Sequence, residues 1–227
     1  MAKFTLIRHG ESVWNGERRM QGHQDPDLSA RGRRQSDLLV ARFHAPGALR
    51  AAAVYTSPLR RAAETGERLA GTLALPLFSE PDFREMSLGR WEGMTVSEIR
   101  AAFPGSYQRW LEDPRTFPAP GGEGLDAFAR RVVRAFERVQ AAHPGADVII
   151  LSHGGVIKAL LCYVLGVDLR ALFRIKQDNT AVSQIEVTAV SRRVLLVNDT
   201  CHLSQGGTDL VPRDVLIDPS EGTDPAF

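Results

Sequence analysis

Three short apolar runs in this 227-residue chain each end in residues that can do chemistry. Thr5-Leu6-Ile7 leads into Arg8-His9-Gly10-Glu11-Ser12. Ala53-Val54-Tyr55-Thr56 leads into Ser57 and then Arg60-Arg61, and Ile149-Ile150-Leu151-Ser152 into His153-Gly154-Gly155. A single histidine after a strand is usually a capping or hydrogen-bonding residue. Two such units, each followed by a glycine that lets a ligand approach the backbone, are harder to ascribe to packing. A divalent metal is one chemistry that two histidines and a carboxylate such as Glu85 would serve. Arg8 argues against it, because a guanidinium repels a cation but holds an oxyanion in its planar fork. With a phosphate held that way, the His9 imidazole can attack phosphorus and split one displacement into two through a covalent intermediate. The arginines would neutralise charge without a metal. A leaving alkoxide needs a general acid, and Glu85 is the best carboxyl candidate. Neither G-x-x-x-x-G-K-[ST] nor a G-x-G-x-x-G after a strand occurs, so nucleotide cradles of those kinds are unsupported.

These residues share a crevice only if the runs are neighbouring strands whose carboxyl ends lie on one edge, where βα loops and helix N-termini converge. The runs Phe4 to Ile7, Ala52 to Thr56 and Asp147 to Ser152 read as buried strands, and helical pattern follows each. Ser29 is expected to cap a helix carrying Leu38, Leu39 and Phe43. Ser57-Pro58 supplies an N-cap and a proline at the first helical position, and Gly154-Gly155 opens the run VIKALLCYVL. Strand then helix, repeated, implies a mostly parallel sheet.

Thr95 to Glu98 matches a capping box, which predicts a helix that ends before Pro104. A long amphipathic helix is expected over Leu125 to Ala142, preceded by a Pro/Gly-rich loop from Pro114 to Gly124. AVSQIEVTA and RRVLLVND read as a hairpin, and hence as an antiparallel edge. The expectation is an α/β fold in three α/β/α layers, with a mostly parallel central sheet and an antiparallel edge. One domain over residues 1–203 and an irregular tail over 204–227 complete it.

Lys plus Arg number 28 against 27 Asp plus Glu, so a net charge of +1 gives no general reason to expect nucleic acid or an anionic membrane as partner. No run approaches ~18 apolar residues, and the apolar start meets Arg8 almost at once, so neither a membrane span nor a signal peptide is expected. The cytoplasm is the expected compartment. Cys162 and Cys201 are expected to be reduced and buried, and His44 and His143 to lie at the surface.

Four blocks in order, LIRHGESVWN (Leu6 to Asn15), TSPLRRAAET (Thr56 to Thr65), FREMSLGRWEG (Phe83 to Gly93) and LSHGG (Leu151 to Gly155), resemble the histidine phosphatase superfamily, also called phosphoglycerate-mutase-like. Cys201-His202-Leu203 resembles the family's ending. RRMQGHQDPDLSARGRRQ with GRWEG is most similar to the cofactor-independent broad-specificity branch, which includes alpha-ribazole phosphatases. The resemblance implies that His9 is the phosphorylated nucleophile and Arg8 its phosphate-binding neighbour. It also implies that Arg61 rather than Arg60 binds phosphate, that Glu85 is the proton donor, and that His153 is the second phosphate-binding histidine. Asn15 matches a phosphate-contacting asparagine, and Gln21 and the Gly154 amide are weaker matches. No metal and no cofactor are implied.

Family mutases carry a longer segment between the acid and the second histidine, so a phosphatase of small phosphomonoesters is favoured over a phosphoglycerate mutase. A phosphate-binding module without turnover and a metallohydrolase are the remaining readings. Trp110, Phe117 and the loop to Gly124 are expected either to form a lid, with Arg109 and Arg115 selecting a second negative group, or to be core anchors. Exposed apolar strand or helix surface would suit a homodimer.

Overall fold

The computed structural model describes residues 1–44, 51–207 and 210. In chain order the elements are β1 (Ala2–Arg8), α1 (Val13–Gly16), α2 (Ala30–His44), β2 (Ala53–Thr56), α3 (Arg60–Leu73), β3 (Leu77–Ser79), α4 (Val96–Ala102) and α5 (Ser106–Glu112). There follow α6 (Leu125–Ala142), β4 (Val148–Ser152), α7 (Gly154–Leu165), β5 (Val182–Val187) and β6 (Arg192–Asp199). Four 3-10 turns, at Pro81–Phe83, Gly89–Trp91, Leu169–Arg174 and Cys201–Gly206, fill the connections.

The six strands form one sheet in the order β3-β2-β4-β1-β5-β6. Pairings among β3, β2, β4 and β1 are parallel, and β5 and β6 add the antiparallel edge. All five residues of β4 are buried, because helices cover both faces of a parallel sheet and leave no solvent side for polar alternation. Phe4, Leu6, Val148 and Ile150 pack into the core cluster that also holds the apolar stripe of α6 and most of α7. Ile7, Val54, Ile149 and Leu151 face the opposite way, into a cluster with Leu39 and Phe43 of α2 and Leu69 of α3. These are the three expected layers.

Local signals set several boundaries. Ser29 Oγ accepts from the Gly32 amide at 2.9 Å ahead of α2. The Thr95/Glu98 capping box opens α4, and α6 spans the predicted residues. Between α2 and the loop after β1 the backbones nearly touch: a Cβ on Gly32 would lie 1.9 Å from the Glu11 carbonyl oxygen. That approach presses the loop carrying His9 and Gly10 against a rigid helix.

Other expectations need correction. Ser57 does not cap α3, which begins at Arg60 after Leu59; its hydroxyl accepts from the Leu59 amide at 3.3 Å, ahead of the helix, and meets the side chain of His153, just past the neighbouring strand β4. Cys162 is buried but Cys201 is exposed, since it opens a surface turn beside Asp199. His143 is half-buried, bonded to the Tyr55 hydroxyl at 3.0 Å, whereas His44 is exposed. Trp110 is a core residue, edge-on to Trp91 and Phe173. Of the expected tail over 204–227, residues 208, 209 and 211–227 lie outside the described residues.

Replacing Gly32 with alanine should destabilise the protein by about 1–3 kcal/mol through overpacking against the Glu11 backbone. Urea unfolding of the two proteins would measure it, and equal midpoints would contradict the close packing described.

Candidate active site

Register brings the histidines together. β1 pairs with β4 so that Arg8 lies opposite Ser152, and the next residue of each strand is a histidine. The His9 amide donates to the Ser152 carbonyl at 2.9 Å, and the Ser57 amide, just past β2, donates to the Leu151 carbonyl at 3.1 Å. The His9 and His153 rings meet edge-on with centroids 5.2 Å apart. His9 Nδ1 lies 2.6 Å from the Gly10 carbonyl oxygen. A carbonyl only accepts, so Nδ1 carries the proton and Nε2 presents a lone pair. His153 Nε2 lies 2.7 Å from Ser57 Oγ, and its Nδ1 is buried with no hydrogen-bond partner.

Two guanidinium groups surround this pair. Arg8 is 4% exposed and donates from Nη1 to the Gln177 carbonyl at 2.5 Å. Arg61, 1% exposed, donates to the carbonyls of Gln24 at 2.7 Å and Gly22 at 2.9 Å. The Nε of each is buried without a partner. Among the described residues neither forms an ion pair within 4 Å, so main-chain dipoles hold them in place and their charge is left for something else. Burial pulls Arg61 down to about 10, opposed by the nearby charges of Glu85 and Asp25, so it stays cationic at neutral pH. Burial first, then the positive charges of Arg61 and Arg8, holds His9 well below its usual 6.5. Burial and Arg61 do the same to His153. Both imidazoles are therefore neutral at pH 7.

Glu85 sits on the loop after the Pro81–Phe83 turn, nearly fully buried. Its Oε1 accepts from the Met86 amide at 2.8 Å and its Oε2 from the Gly155 amide at 3.0 Å, at the N-terminal end of α7. Its own carbonyl takes Arg131 Nη2 at 2.7 Å and His23 Nε2 at 2.8 Å. Gly154, the first residue of α7, is buried beside His153. Asn15 completes a capping box with Ser12: the Asn15 amide donates to Ser12 Oγ at 3.1 Å, and Asn15 Oδ1 accepts from the Ser12 amide at 3.0 Å. Gln21 is buried, and its Oε1 accepts from Ser12 Oγ at 2.8 Å. Both side-chain amides thus use their oxygen ends within the protein, which leaves their NH₂ ends to donate elsewhere.

Arg60 stays outside, 68% exposed and paired with Asp27 at 2.9 Å. Arg115 is tied to Asp126 and Asp168, Arg109 lies over the Phe117 ring, and Trp110 is in the core. Trp110 is therefore one of the expected core anchors, and Arg115 is engaged in surface ion pairs. Sequence reasoning missed Ser57, Arg131 and the Gln177 carbonyl. The serine was visible in the TSPLRR block but read as a cap, and Arg131 lies in an amphipathic pattern with nothing local to single it out. Among the described residues no cluster of three His, Cys, Asp or Glu side chains has the spacing to hold a metal ion, and no helix is long and apolar enough to cross a membrane.

Comparison with known proteins identifies this architecture. Residues 4–200 match the family model for the histidine phosphatase superfamily (branch 1). Phosphoserine phosphatase 1 of Hydrogenobacter thermophilus is 36% identical over 208 residues, covering 90% of this chain and 96% of that protein. The structure named Bacillus stearothermophilus YhfR superposes with a TM-score of 0.82 at 34% identity, covering 89% of this chain and 99% of that one. The alpha-ribazole phosphatase from Shigella flexneri gives a TM-score of 0.79 at 26% identity, over 87% of this chain and 96% of that one. A match spanning nearly the whole domain, in both sequence and fold, shows that this chain belongs to branch 1 of the histidine phosphatase superfamily and is a phosphatase.

Proposed function

We propose that this phosphatase hydrolyses small organic phosphomonoesters, without a metal, through a phosphohistidine on His9 Nε2. The observation that carries the reading is a neutral buried imidazole, with one nitrogen fixed as a donor, beside two buried guanidiniums that lack carboxylate partners. A phosphate dianion supplies the missing charge. Arg8, Arg61 and His153 donate to its oxygens from the groups left unpartnered, with Asn15, Gln21 and the Gly154 amide adding donors at the rim. Where Ser57 donates to Nε2 of His153, that histidine carries its proton on Nδ1, the unpartnered atom.

In the first step the His9 Nε2 lone pair forms the N–P bond as the P–O bond to the leaving group breaks, and the Glu85 carboxyl protonates the departing oxygen. In the second, Glu85 takes a proton from water, the hydroxide oxygen bonds to phosphorus, the N–P bond breaks and phosphate leaves with His9 restored. The short segment between Glu85 and His153 favours water over a second phosphoglycerate hydroxyl as acceptor. Relatives named for phosphoserine and alpha-ribazole support small monoesters as the substrate class.

Phosphate release from phosphoserine, a nucleoside 5′-phosphate, 3-phosphoglycerate and p-nitrophenyl phosphate, with chelator present, tests the reading. His9→Ala should abolish release. Glu85→Gln should lower kcat by roughly 10²–10⁴-fold for alkyl esters while leaving phosphate inhibition nearly unchanged. Chelator-sensitive turnover, or activity surviving in His9→Ala, would refute the mechanism.

The neutral histidines carry a second expectation. In the unfolded chain each takes up a proton near its ordinary 6.5, but His9 and His153 resist it in the folded state and His202 is pushed down to about 4. The unfolded state then binds more protons, so stability is full above pH 6.5 and falls as pH drops from there toward 4, by up to about 1.4 kcal/mol per pH unit for each histidine. Urea unfolding across that range would read it, and a flat profile would show that the histidines are protonated in the native state.

A further inference from the structure

We propose that Asn179 is a positioning residue that sets the orientation of the Asn15 amide, and so its capacity to donate to phosphate, while tying it to the nucleophile-bearing strand. This rests on the reading above, in which Asn15 contacts phosphate and His9 attacks it. Asn179 Nδ2 is 3.2 Å from the His9 main-chain oxygen and 3.4 Å from Asn15 Oδ1. Its two hydrogens thus serve His9, which directly follows β1, and Asn15, which lies in α1.

The turn that presents Asn179 is over-determined. Thr180 has φ +55°, a left-handed conformation that a β-branched residue adopts only when its surroundings enforce it. The Thr180 amide donates to the His9 carbonyl at 3.2 Å, and Thr180 Oγ1 donates to the Asn179 carbonyl at 2.7 Å while meeting His202 Nε2 at 3.1 Å. On the other side, the Asp178 amide donates to Asn198 Oδ1 at 2.6 Å and Asn198 Nδ2 donates to Asp178 Oδ2 at 2.8 Å. The Gln177 carbonyl holds Arg8. Four residues of this turn, Gln177, Asn179, Thr180 and Ala181, therefore brace Arg8 and His9 from the antiparallel side of the sheet, and Asp178 ties the turn to Asn198.

An asparagine amide has nearly the same shape either way round, so its partners decide which end faces the site. Asn15 Oδ1 has the Ser12 amide as one donor. Ser12 Oγ has one proton, and its 2.8 Å contact with Gln21 Oε1 is shorter than its 3.1 Å contact with Asn15 Oδ1. Asn179 is the second dedicated donor that makes the flipped amide, with its oxygen toward a phosphate dianion, unfavourable.

Orthovanadate inhibition, kcat and KM for p-nitrophenyl phosphate, and melting temperature would be measured for Asn15→Ala, Asn179→Ala, Asn179→Asp and the double alanine variant. Asn15→Ala should weaken vanadate by roughly 10-fold and Asn179→Ala by several-fold. Asn179→Asp should weaken it more, because a carboxylate cannot donate to either oxygen. In the Asn15→Ala background the Asn179→Ala effect should shrink to under about twofold, the signature of two residues acting as one unit. Full multiplicative effects in the double variant, or unchanged vanadate inhibition in Asn179→Ala, would overturn the inference. If Asn15→Ala alone leaves vanadate unaffected, the reading of Asn15 fails and the inference with it, while His9→Ala still judges the phosphohistidine separately. Should Asn179→Ala not fold, Asn179→Ser supports the same cycle, and a lowered melting temperature with unaltered vanadate inhibition would mark a merely structural role.

Discussion

Everything at the candidate site depends on one pairing: β1 lies parallel to β4 with Arg8 opposite Ser152. Parallel strands in that register bring the two following histidines within ring contact. A slip of one residue would turn every side chain of the strand to the opposite face and separate them. The register is secured by burial, because Phe4, Leu6, Val148 and Ile150 fill one core and Ile7, Ile149 and Leu151 the other. The apolar filling of the sheet is thus what aligns the polar residues at its end.

Charge is the second constraint. Burying Arg8 and Arg61 without carboxylate partners would be costly if they were bare, yet each is supported by main-chain carbonyls, whose dipoles offset part of the desolvation. Carboxylates in the same place would neutralise the arginines and compete with an anionic ligand. Burial, reinforced by the same positive field, keeps both imidazoles neutral, the state in which a histidine has a lone pair to offer. One electrostatic arrangement therefore suits both needs of the proposed mechanism, an anion site and a histidine lone pair.

Around this centre the protein places Glu85, the proposed acid, by long-range hydrogen bonds. Arg131, on α6, gathers the carbonyls of Asp82, Arg84 and Glu85 while its other face pairs with Glu123 at 2.8 Å, fixing the loop that carries Glu85. Beneath the following turn, Trp91, Tyr107, Trp110 and Phe173 pack ring against ring and anchor the 3-10 turn Gly89–Trp91. The aromatic residues that read as lid candidates divide by burial: Trp110 is core, whereas Phe117 is exposed and covered on one side by Arg109.

The sequence by itself determined the elements whose signals are local. Apolar runs marked β1, β2 and β4, a capping box marked α4, helical periodicity marked α6, and the hairpin of β5 and β6 followed from alternation about a turn. The four motif blocks named the residues now found around the two histidines. Only the tertiary structure decided that the Ser57 hydroxyl meets His153 rather than capping α3, that Cys201 is exposed, and that the short exposed strand β3 joins the sheet. It alone joined Arg131 to Glu85 across 46 positions and Asn179 to His9 across 170. The reason is physical: periodicity and capping depend on neighbours within a turn or two, whereas a contact between distant segments exists only after strand order and register have been chosen by the packing of the whole core.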